Sequence, residues 1–146
     1  MIYNRECETA PHAVLRAQQG ERLVRLVHRV YERVPFYRAK MDAAGVKPAD
    51  IRSIDDIVKL PFTTKDEMRE VYPYGLLACD KAEIVEIHTS SGTTGKPVVD
   101  AYTRGDIELW SEVMARTLAL GDTTREDIVH NAYGYGLFTG GLGVHY

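Results

Sequence analysis

Apolar residues between Pro11 and Val34 recur at i, i+3, i+4 and i+7, with Leu23, Leu26, Val27, Val30 and Val34 along one side. This period predicts an amphipathic helix, and Pro35 forces the chain out of it. A second short helix is expected from Phe36 to Ala44, closed by Gly45. Three later helix starts are marked by a hydroxyl three residues before an acid: Ser53 with Asp56, Thr63 or Thr64 with Asp66 or Glu67, and Thr103 with Asp106. The helix beginning near Thr64 must stop before Pro73. The one beginning near Thr103 carries Ile107, Trp110, Val113, Met114, Thr117 and Leu118 on one face and ends at Gly121, with Trp110 as a core anchor.

Between those last two helices the pattern becomes extended. Ile84-Val85-Glu86-Ile87-His88 and Pro97-Val98-Val99-Asp100-Ala101-Tyr102 are rich in β-branched residues and border a loop of serine, threonine and glycine. A third strand is expected over Ile128–Ala132. After it comes a run from Tyr133 to Gly143 in which Gly134, Gly136, Gly140, Gly141 and Gly143 signal close backbone packing or the approach of a ligand. The organisation predicted is a helical region over 1–82 followed by a partial α/β region over 83–146.

Composition narrows the setting. A chain of 146 residues with 45% hydrophobic content can bury one ordinary core. No stretch approaches the ~18 apolar residues of a membrane span, and the first residues lack the basic-then-apolar order of a secretory signal, so the expectation is a cytoplasmic protein with no membrane partner. Cys7 and Cys79 stand far apart without zinc or redox spacing and are read as free thiols. Residues 1–40 hold eight basic side chains against four acidic ones, leaving the other 106 residues at −7. Arg22, Arg25, Arg29 and Arg33 fall opposite the apolar face, where a solvated polar surface explains them; few aromatics interleave with them, which argues against nucleic acid. His88, His130 and His145 lack metal-like spacing and are read as structural, so no metal site is expected in this chain.

The loop itself, Ser90-Ser91-Gly92-Thr93-Thr94-Gly95-Lys96-Pro97, carries the strongest chemical signal. A polyphosphate needs many donors at close range. Two glycines let the backbone curl so that consecutive N–H groups converge, Ser90, Ser91, Thr93 and Thr94 add hydroxyls, and Lys96 adds a positive charge. The Walker pattern is excluded, because only two residues separate Gly92 from Gly95, a proline follows the lysine, and a strand follows the proline. A plain hairpin connection would use similar residue types, but not this ordered string.

Ser-Ser-Gly-Thr-Thr-Gly-Lys-Pro resembles the phosphate-binding signature of the adenylate-forming superfamily. Leu60-Pro61-Phe62-Thr63-Thr64-Lys65, Tyr102-Thr103-Arg104 with Asp106, Ile107 and Trp110, and above all Tyr133-Gly134-Tyr135-Gly136-Leu137-Phe138-Thr139-Gly140-Gly141-Leu142-Gly143 narrow the resemblance to its phenylacetate–CoA ligase branch, over nearly the whole chain. The broad superfamily places a lysine after the proline of the loop, whereas here Lys96 precedes it and Val98 follows, an order similar to the phenylacetate branch. Asp100 departs from the small or apolar residues that branch tends to carry there.

The resemblance implies an α/β fold in which N-terminal helices precede the start of a mixed β-sheet subdomain. It also implies a reaction in which an aryl acid is activated by ATP with Mg²⁺ and the acyl adenylate passes to coenzyme A. Ser90, Ser91, Gly92, Thr93, Thr94, Gly95 and Lys96 would hold the phosphates; Tyr133, Tyr135, Gly136 and Phe138 would line part of the acid site, Tyr133 and Phe138 foremost. No catalytic residue is expected in this chain, since the family's catalytic lysine lies in a C-terminal domain beyond Tyr146, and a truncated product, a gene fragment or an excised piece is therefore expected, inactive by itself and prone to self-association as a homo-oligomer. The alternatives are a non-catalytic phosphate- or nucleotide-binding module and a fragment that complements a partner chain.

Overall fold

The structure is a computed structural model that describes residues 1–92 and 95–146. In chain order its helices and strands are α1 (Arg5–Glu8), α2 (His12–Arg33), α3 (Pro35–Ala43), α4 (Lys65–Glu70), β1 (Ile84–Thr89), β2 (Val99–Thr103), α5 (Arg104–Leu120) and α6 (Leu142–His145), with short 3₁₀ segments at Pro48–Asp50, Ile54–Lys59 and Lys81–Glu83. Helices and one small antiparallel sheet therefore share the chain, in two units: residues 10–80, and residues 1–9 with 81–146. The first nine residues, read from sequence as the start of the helical region, belong to the second of these. Among the described residues no helix is long and apolar enough to cross a membrane.

In the unit of residues 10–80, α2 ends because Val34 is extended (φ −117°, ψ 99°), the conformation a following proline favours, and Pro35 then opens α3 as its first residue. Gly45, at φ +67°, closes α3 in the left-handed region, with the Val46 N–H donating to the Met41 carbonyl at 2.9 Å and the Gly45 N–H to Asp42 at 3.0 Å. Leu23, Val27, Met41 and Ile51 form the core, and Val24, Tyr31, Val46, Ile54 and Leu60 pack around it. Gly20 lets α2 approach the Ile54 segment, since a Cβ there would lie 3.2 Å from the Ile54 nitrogen.

At the start of α4 the paired residues are Thr64 and Glu67. The Glu67 carboxylate accepts from the Lys40 ammonium at 2.5 Å, from the Thr64 N–H at 2.7 Å and from the Thr64 hydroxyl at 3.0 Å. Lys40 first, and Thr64 after it, hold the Glu67 carboxyl down at about 2, against an ordinary 4.5. A carboxyl whose pKa is lower folded than unfolded contributes stability above the unfolded value and loses it as pH falls through the folded one. Wild-type stability should thus fall between pH 4.5 and about 2, and a Lys40→Met variant should show a shallower fall over that window. Thermal unfolding of both proteins across the window checks this; parallel curves would contradict it.

In the other unit, β1 and β2 are antiparallel, with Ile87 opposite Ala101, His88 opposite Asp100 and Thr89 opposite Val99. Thr103 caps α5: its N–H donates to the Asp106 carboxylate at 2.8 Å and its hydroxyl oxygen accepts the Asp106 N–H at 3.4 Å. The face of α5 differs in detail from the periodic expectation. Ile107 and Ala119 are its buried residues, while Val113 and Thr117 are exposed.

The strand expected over Ile128–Ala132 does not form: the sheet has two strands among the described residues, and Ile128 and Val129 lie exposed. A strand is stable only when a neighbour takes up its backbone N–H and C=O groups, and β-branched composition supplies no neighbour. Asp100 is exposed, and nothing in the structure explains its choice.

Candidate functional site

The sequence places the loop at the tip of the β1–β2 pair, and the structure shows how it is closed. The Ser90 N–H donates to the Val98 carbonyl at 3.0 Å, and the Val98 N–H returns to the Ser90 hydroxyl oxygen at 2.9 Å. Ser90 thus clamps the base of the loop, keeping its hydroxyl proton for a further acceptor. Above the clamp, Gly92 (φ +65°) and Gly95 (φ +138°) adopt positive φ, and the Gly95 N–H donates to the Gly92 carbonyl at 3.0 Å. A Cβ on Gly92 would sit 3.1 Å from the Gly95 carbonyl oxygen, so both backbone conformation and space call for glycine there. Ser91 and Lys96 are exposed beside this curl. Thr93 and Thr94, the remaining candidate phosphate ligands, lie outside the described residues.

The glycine-rich segment forms a turn pinned by a residue that periodicity did not single out. The Asn131 side-chain amide donates to the Gly141 carbonyl at 2.7 Å, and its oxygen accepts the Tyr133 N–H at 3.1 Å. Tyr133 and Phe138 stack, with ring centroids 6.0 Å apart and 24° between planes. Tyr135 stands apart from that pair, its hydroxyl 3.0 Å from His145 Nδ1. All three rings are about half exposed, and Gly136 leaves open space where a Cβ would meet nothing within 4 Å. Such flat surfaces suit a planar apolar ligand.

Other glycines here serve packing instead. A Cβ on Gly141 would come within 2.7 Å of the Gly134 carbonyl oxygen, a backbone atom that no rotamer change moves. Gly141→Ala should therefore cost about 1–3 kcal/mol, as overpacking does, and expose the segment to limited proteolysis, whereas Gly136→Ala should leave the cleavage pattern unchanged. Equal resistance in both variants would contradict the geometry.

The two candidate regions meet at one carbonyl. The Thr89 N–H, last in β1, donates to the Leu137 carbonyl at 2.7 Å, which brings the strand feeding the loop against the segment carrying Tyr133, Tyr135, Gly136 and Phe138. His88 is fully buried beside this contact and forms a three-ring cluster with Tyr102 and Trp110, at centroid distances of 5.5 and 5.6 Å, those two rings lying 5.0 Å from each other. Burial, then the charges of Asp100, Asp106 and Glu86, push the Tyr102 hydroxyl's pKa up. Hydrogen bonding to Glu86 does the same for Tyr146. Trp110 donates its indole N–H to the Gly143 carbonyl at 2.9 Å, anchoring α5 to the end of the segment. Among the described residues no group of three or more His, Cys, Asp or Glu side chains could hold a metal ion.

Comparison with known proteins gives a consistent picture. No protein-family model matches the chain. It is 53% identical over 145 residues to a phenylacetate–coenzyme A ligase of Thermus thermophilus, covering 99% of this chain and 33% of that protein. It is 50% identical over 139 residues to the phenylacetate–coenzyme A ligase of Escherichia coli K12, covering 95% of this chain and 32% of that one. Among solved structures, a 2-hydroxyisobutyryl-CoA ligase in complex with 2-HIB-AMP and CoA superposes with a TM-score of 0.83 at 29% identity, over 93% of this chain and 30% of its own. The same ligase in its postadenylation state gives 0.87 at 26% identity, over 98% and 31%. The chain thus spans about a third of the length of the curated relatives it matches.

Proposed function

Since the chain belongs to the phenylacetate–CoA ligase family, as the counterpart of about a third of the relatives' length, we propose that it supplies the triphosphate-gripping loop and part of the acid pocket of an ATP-dependent aryl acid–CoA ligase. In the first half-reaction a carboxylate oxygen of the acid bonds to the α-phosphorus of ATP while the bond from that phosphorus to the bridging oxygen of pyrophosphate breaks. Negative charge grows on the departing β-phosphate. Donors fixed in place before the reaction favour that charge distribution over the ground state. The Ser90–Lys96 loop fills this role through its backbone N–H groups, the serine hydroxyls and the Lys96 ammonium. In the second half-reaction the thiol of coenzyme A forms a bond to the acyl carbon and AMP leaves.

Mg²⁺, which the family resemblance implies, would accompany the phosphates of ATP and offset their charge. The stacked Tyr133 and Phe138 rings beside open Gly136 support an aryl acid as substrate, with Tyr135 at the margin of that pocket.

The observation that carries this reading is the loop: Gly92 and Gly95 both adopt positive φ, and Ser90 clamps its base. The test is to graft these 146 residues in place of the matching third of the Thermus thermophilus ligase and assay acid-dependent ATP–pyrophosphate exchange. Exchange that requires phenylacetate or another aryl acid is the expected result. A folded graft that gives none, or gives it equally with short aliphatic acids, would overturn the proposal in whole or in its aryl specificity.

A further inference from the structure

His88 is a fully buried polar side chain packed against two aromatic rings that also touch each other, and the proposed reaction gives it nothing to do. Its Nδ1 lies 3.2 Å from the Leu137 carbonyl oxygen and its Nε2 lies 2.5 Å from Glu86 Oε1. A carbonyl only accepts, so a bond to Leu137 needs the proton on Nδ1, and Nε2 faces the carboxyl of Glu86. The other oxygen of Glu86 accepts from the Tyr146 hydroxyl. The ring is thus held from behind and aimed at one backbone carbonyl. That carbonyl, which also accepts the Thr89 N–H at 2.7 Å, belongs to the residue between Gly136 and Phe138.

We propose that His88 is a positioning residue that fixes the acid-site segment to the strand feeding the phosphate loop, with Glu86 orienting its ring. The proposal rests on the functional reading above for what the two regions bind, but the coupling itself is a property of this chain. The geometry sets its strength: Leu137 keeps its backbone bond from Thr89 when His88 is removed, so the segment loosens instead of detaching. Asparagine at 88 would place its side-chain Nδ2 where the histidine Nδ1 stands, keeping the donor to Leu137 and losing the contact with Glu86. Phenylalanine would keep the ring volume and lose both.

The test begins with backbone hydrogen exchange in the full 146-residue chain. His88→Phe should speed exchange of the amides of residues 134–140 by about tenfold, the change that follows loss of one buried hydrogen bond, and His88→Asn should restore most of that protection. Unchanged exchange in His88→Phe, or equal loosening in both variants, would overturn the proposal. Where His88→Phe fails to fold, Glu86→Gln carries the comparison: faster exchange in the same amides supports the coupling and unchanged exchange overturns it. In the grafted ligase His88→Phe should raise the KM for the acid by about tenfold and leave that for ATP nearly unchanged, with His88→Asn between wild type and His88→Phe. Equal rises for both substrates would mark a merely structural role and overturn the assignment. A graft that retains His88 yet shows no exchange activity would defeat the functional reading, while the amide measurement still decides the coupling.

Discussion

The Gly92→Val substitution should lower acid-dependent ATP–pyrophosphate exchange in the grafted ligase by about a hundredfold or more, the usual effect of misplacing donors at a developing charge. Two features of the structure make the loop intolerant of valine there, and the loss of exchange follows from the role proposed for the loop. Gly92 sits at φ +65°, where a β-branched residue is strained, and its Cβ would crowd the Gly95 carbonyl oxygen at 3.1 Å. Relief requires Gly92 to shift away from Gly95, which strains the hydrogen bond that the Gly95 N–H donates to the Gly92 carbonyl. Gly105→Ala provides the control, because its Cβ would meet only the Thr103 hydroxyl oxygen, at 3.9 Å. That variant should stay within about twofold of wild type, as surface changes away from special features do. Exchange that survives Gly92→Val at the control's level would show that the loop conformation does not matter to the chemistry.

The largest expected effect on stability falls in the unit of residues 10–80. Ile51 is 2% exposed and packs with Leu23, Val27 and Met41, so Ile51→Ala removes buried methyl groups and leaves a cavity between α2 and α3. Such substitutions cost about 2–5 kcal/mol. For a unit of this size that corresponds to a melting temperature lower by roughly ten degrees or more. Val58, 85% exposed, supplies the comparison; Val58→Ala should shift stability by less than about 0.5 kcal/mol. Calorimetry or chemical denaturation of the two variants checks the pair. Similar losses in both would mean that the core has been placed wrongly.

What could be read from residues alone was what is settled locally. The capping pairs Thr64–Glu67 and Thr103–Asp106 are legible because both partners lie within four residues and bond each other's side chain and backbone, whereas the bond from Lys40 to Glu67 spans 27 residues and was not. The end of α3 at Gly45 is legible for the same reason, since a left-handed residue favours glycine whatever surrounds it. The loop's place between β1 and β2 followed from a change of period on both sides.

Features that depend on distant partners were not legible. Ile128–Ala132 has strand composition and no strand, because pairing needs a neighbour that composition does not name. Ala119 is buried on α5 where the period pointed to Val113, since tertiary contacts choose which side of a helix is covered. In the candidate site, Tyr133 and Phe138, the pair that the family resemblance put foremost, stack on each other. Asn131, the pin of that turn, was seen only as a strand residue; a short polar side chain immediately before a glycine-rich run was the available signal. His88 was visible as an isolated histidine but not as a bridge to Leu137, which lies 49 residues away in sequence.

The most direct check on the central claim is hydrogen–deuterium exchange over residues 89–98 of the grafted ligase, with and without saturating Mg-ATP. Protection gained by the amides of Ser91, Gly92 and Lys96 on nucleotide addition is the predicted result, with a smaller gain in the same segment when the graft carries Gly92→Val. Full nucleotide occupancy with no change in exchange anywhere in that segment would contradict the account.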